Sequence, residues 1–160
     1  MSAQTKYGYF TVKGDAGGIY DLAPYTIDSF INEAATGAMK PGMAVVTGTK
    51  AGLQVKLPTA AGNTVEGVVT NRRTNENSFE GEVTLRNKAT VGVMRQGRIW
   101  ALLADGIKPA YNGAAYVVAT GDEAGCFTTA SSGNIAINAR FLSADEDGIA
   151  LVELLGQDVV

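Results

Sequence analysis

Residues 79–93 read FEGEVTLRNKATVGV, and this stretch decides the fold class of the chain. Its odd positions are mostly apolar or small, whereas its even positions include Glu80, Glu82, Arg86 and Lys88. A period of two is typical of a β-strand with one buried face. Because fifteen residues exceed the usual length of a strand, the pattern predicts two strands with a bend near Asn87.

Short segments of the same kind follow one another from residue 40 to residue 155, separated by glycine-containing turns. About ten short strands at this spacing predict an all-β barrel or two-sheet sandwich. Besides the pair in 79–93, the predicted strands cover 43–47, 53–57, 65–70, 98–103, 116–119, 126–129, 135–141 and 149–155.

Residues 1–36 differ from the β-rich body, residues 37–160. They hold six of the eleven Phe and Tyr residues, and glycines interrupt them, which predicts an extended and largely irregular N-terminal arm. Such an arm either folds back over its own body or lies across a neighbouring subunit, where aromatic side chains are enriched. Within it, the spacing of apolar side chains over residues 27–35 predicts a short helix, with Thr26 as its cap and Gly37 at its end.

Two stretches of the body resemble each other. Residues 42–48 (GMAVVTG), followed by Ala51-Gly52, are similar to residues 113–121 (GAAYVVATG), followed by Ala124-Gly125. The similarity indicates either that both are ordinary β-hairpins or that the fold contains two similar halves, and the first interpretation is favoured.

Composition limits the function classes. The chain of 160 residues and 16.6 kDa fits one domain, and its net charge of −3 supplies no basic excess for binding nucleic acid. Residues 65–110 are slightly basic and residues 111–160 acidic. Two such regions could mate head to tail between subunits, but solvated strand faces and loops are the favoured interpretation. No stretch has the length and apolar character of a signal peptide or membrane span, and Cys126 has no partner for a disulfide, so we expect a soluble protein of a reducing compartment.

Catalytic equipment is sparse. The chain has no His, which excludes Ser-His-Asp and Cys-His pairs, and one Cys is too few for a zinc site. Glu80 and Glu82 would share a strand face at a spacing that suits a glycosidase, but the nearby Arg86 and Lys88 favour a solvated row of charges. Residues 145–148 (DEDG) are more typical of an acidic hairpin turn than of a calcium site. The sequence therefore predicts no enzyme, no cofactor and no metal.

The body from Lys40 to Leu155 resembles the structural cement, or capsid decoration, proteins of tailed bacteriophages. The resemblance rests on the order and spacing of short phrases, namely residues 41–46 (PGMAVV), 65–70 (VEGVVT), 91–93 (VGV), 113–118 (GAAYVV), 125–128 (GCFT), 139–142 (ARFL) and 148–154 (GIALVEL). It implies a jelly-roll-like or tulip-like domain that oligomerises on the exterior of an icosahedral head after the head expands. It also implies the major capsid protein as partner, a place on the outside of the virion, and synthesis in the cytoplasm of the host bacterium.

Under this hypothesis the arm aromatics Tyr7, Tyr9, Phe10 and Tyr20 contact a partner chain, and Arg72 and Arg73 in the polar loop 71–77 make rim contacts. Neither nucleic acid nor membrane is expected as a partner, and a homotrimer is favoured over a dimer. The alternatives are a tail or head-fibre module, a small carboxylate-based hydrolase, and a sugar- or peptide-binding module. The last needs an exposed aromatic platform, whereas Trp100 is predicted to be buried.

Overall fold

The computed structural model describes residues 14–71, 76–77 and 82–156 of the chain. Strands dominate these ranges, and they contain no helix. The strands are β1 (Thr26–Asn32), β2 (Ala44–Thr47), β3 (Gln54–Lys56), β4 (Val65–Val69), β5 (Glu76–Asn77), β6 (Val83–Thr84), β7 (Thr90–Leu102), β8 (Ala114–Val117), β9 (Phe127–Thr128), β10 (Ile135–Phe141) and β11 (Ile149–Leu154). The all-β prediction is confirmed.

The predicted helix at 27–35 is wrong. Residues 26–32 form β1, which pairs antiparallel with the first part of β7. Phe30 and Asn32, two residues apart, are both buried. A helix of two turns is marginal on its own, so pairing with β7 overrides the short helical spacing of the apolar residues.

The bend predicted near Asn87 is confirmed, because β6 and β7 are separated by a turn at Asn87 and Lys88. Lys88 there has a left-handed φ of 65°. The strand expected at 98–103, however, is not separate: β7 runs for 13 residues without interruption. This one long strand is shared by two β-barrels.

The first barrel closes through the strand order β1-β3-β2-β4-β7 and back to β1. The second barrel has the order β7-β9-β8-β10-β11 and back to β7, and it closes through a single parallel bridge between Leu103, the residue after β7, and Phe127 of β9. The first barrel uses the amino-terminal part of β7, and the second uses the carboxy-terminal part. Each barrel thus has five strands with the same connectivity.

The two barrels also share their hydrogen-bond register. Three backbone hydrogen bonds of the first barrel have counterparts of the same length in the second barrel. The bond from Glu33 N to Val55 O corresponds to the bond from Ala104 N to Phe127 O (both 2.9 Å). In the same way, Gly42 N to Val69 O corresponds to Asn112 N to Phe141 O (both 2.8 Å), and Val69 N to Met43 O corresponds to Phe141 N to Gly113 O (both 2.9 Å). Both stretches of the internal similarity form ordinary β-hairpins, β2–β3 and β8–β9, as the favoured interpretation has it, and the two hairpins occupy corresponding places in the barrels. The fold contains two similar halves.

The barrel cores are apolar and unequal in extent. The smaller core fills the first barrel and includes Phe30, Val45 and Val93. The larger core fills the second barrel around Phe127 and Phe141. It also includes some side chains of β2 and β4, whereas other side chains of the same two strands line the first barrel. The halves therefore pack against each other through a continuous apolar layer.

Two glycines lie where the backbones of the halves meet. The Ala44 amide donates to the Gly125 carbonyl at 2.7 Å, and the Leu102 amide donates to the Gly42 carbonyl at 2.9 Å. Both glycines have left-handed φ, 95° at Gly125 and 85° at Gly42. A Cβ on Gly125 would lie 2.8 Å from the Ala44 carbonyl oxygen, so this close approach requires glycine.

Candidate interaction surface

Residues 14–20, the first described part of the N-terminal arm, lie on the second barrel, whereas residues 26–32 of the arm form β1 of the first barrel. The Gly17 amide donates to the Trp100 carbonyl at 2.7 Å, the Trp100 amide to Gly18 at 3.0 Å, and the Tyr20 amide to the Arg98 carbonyl at 3.1 Å. Trp100 is 5% exposed, as predicted, and a Cβ on Gly14 would overlap its ring. Over residues 14–20 the arm therefore folds back over its own body and covers one edge of β7.

Beyond this contact the chain presents an apolar strip, which we define as Ile19, Tyr20, Leu22 and Tyr25. Their exposed fractions are 42%, 36%, 98% and 46% respectively. Isolated exposed apolar residues are common on protein surfaces, but four within seven residues form a patch. Leu22 is almost fully accessible, which has no benefit for the stability of the isolated chain.

The strip is held in place by contacts around it. Asp21 pairs with Arg98 at 2.9 Å, and its carboxylate also accepts the Ala23 amide at 3.2 Å. The Tyr20 ring meets the Trp100 ring edge-on, with 6.3 Å between centroids. Tyr25 packs closely on Gly97, since a Cβ there would lie 2.7 Å from that of Tyr25. Such anchoring lowers the entropy cost of binding a partner.

A row of charges crosses the outer face of the second barrel beside the strip. Arg98 on β7 pairs with Glu153 on β11 at 3.2 Å, and Glu153 pairs with Arg140 on β10 at 2.6 Å. The hydrogen bond from Arg140, supported by that from Arg98, holds the pKa of Glu153 below its ordinary 4.5 against the opposing effect of burial. On the first barrel, Arg95 similarly joins Asp28 and Glu66.

The acidic turns lie at one end of the second barrel, around an open cavity of about 280 Å³ lined by Asp105, Glu123 and Asp145. These carboxylates serve local loops: Glu123 accepts the Asp105 amide at 2.6 Å, and Asp145 accepts the Gly148 amide at 2.7 Å. Asp147 and Gly148 form the turn of the β10–β11 connection, both with positive φ, so the predicted hairpin turn is confirmed. Within the described ranges, no group of three or more metal-binding side chains is found.

Cys126 lies at the junction of the halves, packed with Met43 and Ala104. Its side chain is buried, with 5% of the residue exposed. Desolvation, reinforced by the nearby charge of Glu123, raises the pKa of this thiol to about 11. It is therefore protonated at neutral pH and a poor nucleophile.

Of the predicted contact residues, Tyr20 belongs to the strip and is half covered by its contact with Trp100. Tyr7, Tyr9, Phe10, Arg72 and Arg73 lie outside the described residues, as does Glu80 of the carboxylate pair. Sequence reasoning missed Ile19, Leu22 and Tyr25. One signal was available: Leu22 stands alone between Asp21 and Ala23-Pro24, a turn-prone context without the alternation of a buried strand.

The fold and surface define an all-β protein with a preformed apolar strip and, among the described residues, no constellation suited to catalysis. No described helix has the length and apolar character needed to cross a membrane. A family model described as structural cement protein (E217 gp24/Pam3 gp6) matches residues 3–155. The chain belongs to this family of phage structural cement proteins.

Solved structures agree on the fold. A chain from the capsid of Myoviridae phage XM1 aligns with a TM-score of 0.75 at 18% identity, covering 96% of this chain and 98% of that chain. No curated protein matches. Family membership confirms the prediction of a structural virion protein and excludes the hydrolase alternative.

Proposed function

We propose that this protein binds the outer surface of an expanded icosahedral head and bridges neighbouring major capsid proteins, so that the head withstands the pressure of packaged DNA. Family membership supports the structural role. The single observation in the structure that supports binding is the rigidly anchored apolar strip, with Leu22 98% exposed at its centre. Water is released when such side chains are covered, which favours association with a partner surface.

Many weak contacts suit this role better than one strong contact. At roughly 200 Å² for each fully exposed large side chain, the strip offers about 400 Å², less than the roughly 800 Å² per partner of a standard stable interface. Copies held side by side on one lattice gain effective concentration, so modest individual affinities add up to firm attachment. Residues Tyr7, Tyr9 and Phe10 enlarge the contact in this proposal, and Arg72 and Arg73 form part of its rim.

We expect the protein to attach as a homotrimer after synthesis in the cytoplasm of the host bacterium. The test is co-sedimentation of purified protein with expanded, DNA-free heads, with unexpanded proheads as the comparison. Saturable binding to expanded heads is expected, and the number of copies per head identifies the symmetry position. Absence of binding to either kind of head would refute the proposal.

A pair of leucine variants identifies the surface used. Leu22→Asp places a charge in the strip and is expected to weaken binding to heads by at least about tenfold, because burying an unpaired carboxylate is costly. Leu53→Asp is the matched control: Leu53 is 48% exposed, but it lies on the β2–β3 turn, away from residues 19–25 in the chain. Equal binding by both variants and the unmodified protein would exclude the strip as the contact.

A further inference from the structure

The apolar strip lies against β7 between two rows of ion pairs. Tyr25 of the strip packs on Gly97. One residue further along β7, Arg98 pairs with Asp21, which lies within the segment that forms the strip. Two residues before Gly97, Arg95 is the centre of the ion pairs on the first barrel. The strip and the two rows therefore form one continuous surface.

The row on the second barrel spans three strands. Arg98 of β7 is the direct cross-strand neighbour of Glu153 of β11, and Glu153 is that of Arg140 of β10, so the three side chains share one face of the sheet. The Glu153 carboxylate lies 3.2 Å from the Arg98 guanidinium and 2.6 Å from that of Arg140. Arg140 also donates to the side-chain oxygen of Asn112 at 2.9 Å. Each charge of this row thus has a partner of opposite sign within the molecule.

The row on the first barrel is built around one arginine. Arg95 lies 3.4 Å from the carboxylate of Asp28 on β1 and also pairs with Glu66 on β4. Its guanidinium stands over the Phe30 ring, 5.7 Å from the centroid. Glu66 in turn accepts the Thr47 hydroxyl at 2.7 Å. These neighbours hold the charged groups before any partner arrives, which lowers the cost of ordering them in a contact.

The charges of the two rows almost cancel, unlike those of the loops at the end of the second barrel. The rows hold three arginines and four carboxylates. Residues 103–113, 118–126 and 142–148 hold six carboxylates and one lysine. A basic partner is therefore attracted to these loops, whereas the surface around the strip has little net charge to attract it.

The strip alone is too small for a standard interface. It offers about 400 Å², half of the roughly 800 Å² per partner that a stable contact buries. The rows adjoin the strip and are accessible in part, with 38% of the Arg98 side chain and 46% of the Arg95 side chain exposed. Interfaces commonly surround an apolar centre with a polar rim, and the two rows have the composition and the position of such a rim.

We propose that the strip and both rows form one contact surface, and that this surface fits a region of the head with an apolar centre and a border without excess charge. The inference rests on the proposed function, since the head supplies the partner. Burial of the apolar centre supplies the affinity, and the paired charges of the rim set the orientation. Attraction between opposite net charges is not the driving force.

The test is the affinity of the unmodified protein for expanded heads, measured by co-sedimentation at several salt concentrations. Between about 0.05 and 0.5 M NaCl, the dissociation constant should change by less than about threefold, because salt screens attraction between net charges and not apolar burial. A larger loss of affinity at high salt would overturn the inference and leave the proposed function standing. Absence of binding at every salt concentration would refute the proposed function, and the inference with it.

Two variants that each remove one negative charge separate the rows from the acidic loops. Glu153→Gln removes the carboxylate that Arg98 and Arg140 share, and it should raise the dissociation constant from heads by about fivefold or more. Asp122→Asn, at an exposed position between β8 and β9, is the matched control and should bind as the unmodified protein does. Equal binding by all three proteins, or a larger loss with Asp122→Asn, would contradict the inference. Circular dichroism establishes that each variant is folded, and the salt series needs no variant.

The alternative occupant of the surface is a second copy of this chain. Light scattering of the full chain, unmodified and as Leu22→Asp, distinguishes the two occupants. The same mass is expected for both proteins, because the strip contacts the head and not another copy. A multimer that Leu22→Asp converts to a smaller species would assign the surface to a second copy and overturn the inference.

Discussion

The two barrels share strand order and hydrogen-bond register, but they differ in what covers them. The chain itself covers the second barrel, laying residues 14–20 along β7 over Trp100. Among the described residues, no such segment lies along the corresponding edge of the first barrel, at Ile27 and Ser29 of β1. Since the repeated architecture serves stability in both halves, the features that distinguish them are the candidates for contact with a partner, and the proposed function assigns this role to the apolar strip.

The largest effect is expected from truncation inside the second barrel. Phe141→Ala removes a fully buried ring from the larger core, which reaches the packing layer between the halves. The free energy of unfolding should fall by about 3–5 kcal/mol. Urea unfolding followed by fluorescence and circular dichroism measures this change, and both probes should report one transition. Two separate transitions would show that the halves fold independently.

A pair of glycine variants tests the junction between the halves. Gly133→Ala, at φ 72° with open space around it, should cost about 1–2 kcal/mol for its left-handed backbone alone. Gly125→Ala, at φ 95°, should cost about 1–3 kcal/mol more, because its Cβ would overlap the Ala44 carbonyl oxygen. Urea midpoints of the two variants give the comparison. Equal losses of stability in the two variants would mean that the junction between the halves accommodates a methyl group at residue 125.

A smaller effect is expected from the row of charges on the second barrel. The pKa of Glu153 is lowered in the folded state by Arg140 and Arg98, so its stabilising contribution is complete above the ordinary value of 4.5. The contribution is lost as the pH falls through the lower, folded pKa. Glu153→Gln should therefore flatten the decline of stability between about pH 5.5 and pH 3, measured as urea midpoints. A pH profile parallel to that of the unmodified protein would contradict this assignment.

The reactivity of Cys126 tests the packing between the halves without any substitution. Its burial between the halves and its pKa of about 11 predict very slow modification by a thiol reagent near pH 8. The rate should rise sharply in urea at the same midpoint as unfolding. Fast labelling of the folded protein would show that the halves separate readily.

The sequence predicts several strands of the body well because each is a short run, apolar or alternating, between turns. β10 begins and ends at the predicted residues, and β2, β4 and β11 lie within one residue of them. The sequence predicts a helix in place of β1, because Ile27, Phe30 and Ile31 have helical spacing. Their pairing with β7, which decides the structure, is not visible in the local sequence. The similarity of the halves resides in backbone register rather than side chains. In the backbone register, Val45 of β2 corresponds to Ala115 of β8, whereas an alignment of the two sequence stretches matches Val45 with the residue after Ala115.

Local sequence is also insufficient to predict the apolar strip. Composition indicated that the arm aromatics contact a partner, but the exposure of Leu22 depends on the Asp21–Arg98 pair and on the anchoring of Tyr20 by Trp100. These are contacts across more than 70 residues of sequence, which no local pattern reveals. Family membership gives the structural role, and the fold shows which side chains are available to perform it.

The most direct test of the cement role is the temperature at which DNA-filled heads release their DNA, measured with a dye that fluoresces on exposed DNA. Heads saturated with the unmodified protein, or with the Leu53→Asp control, should release DNA at a higher temperature than undecorated heads. Heads exposed to the same concentration of the Leu22→Asp protein should release it close to the undecorated temperature. A release temperature unchanged by saturating decoration with the unmodified protein would contradict the account.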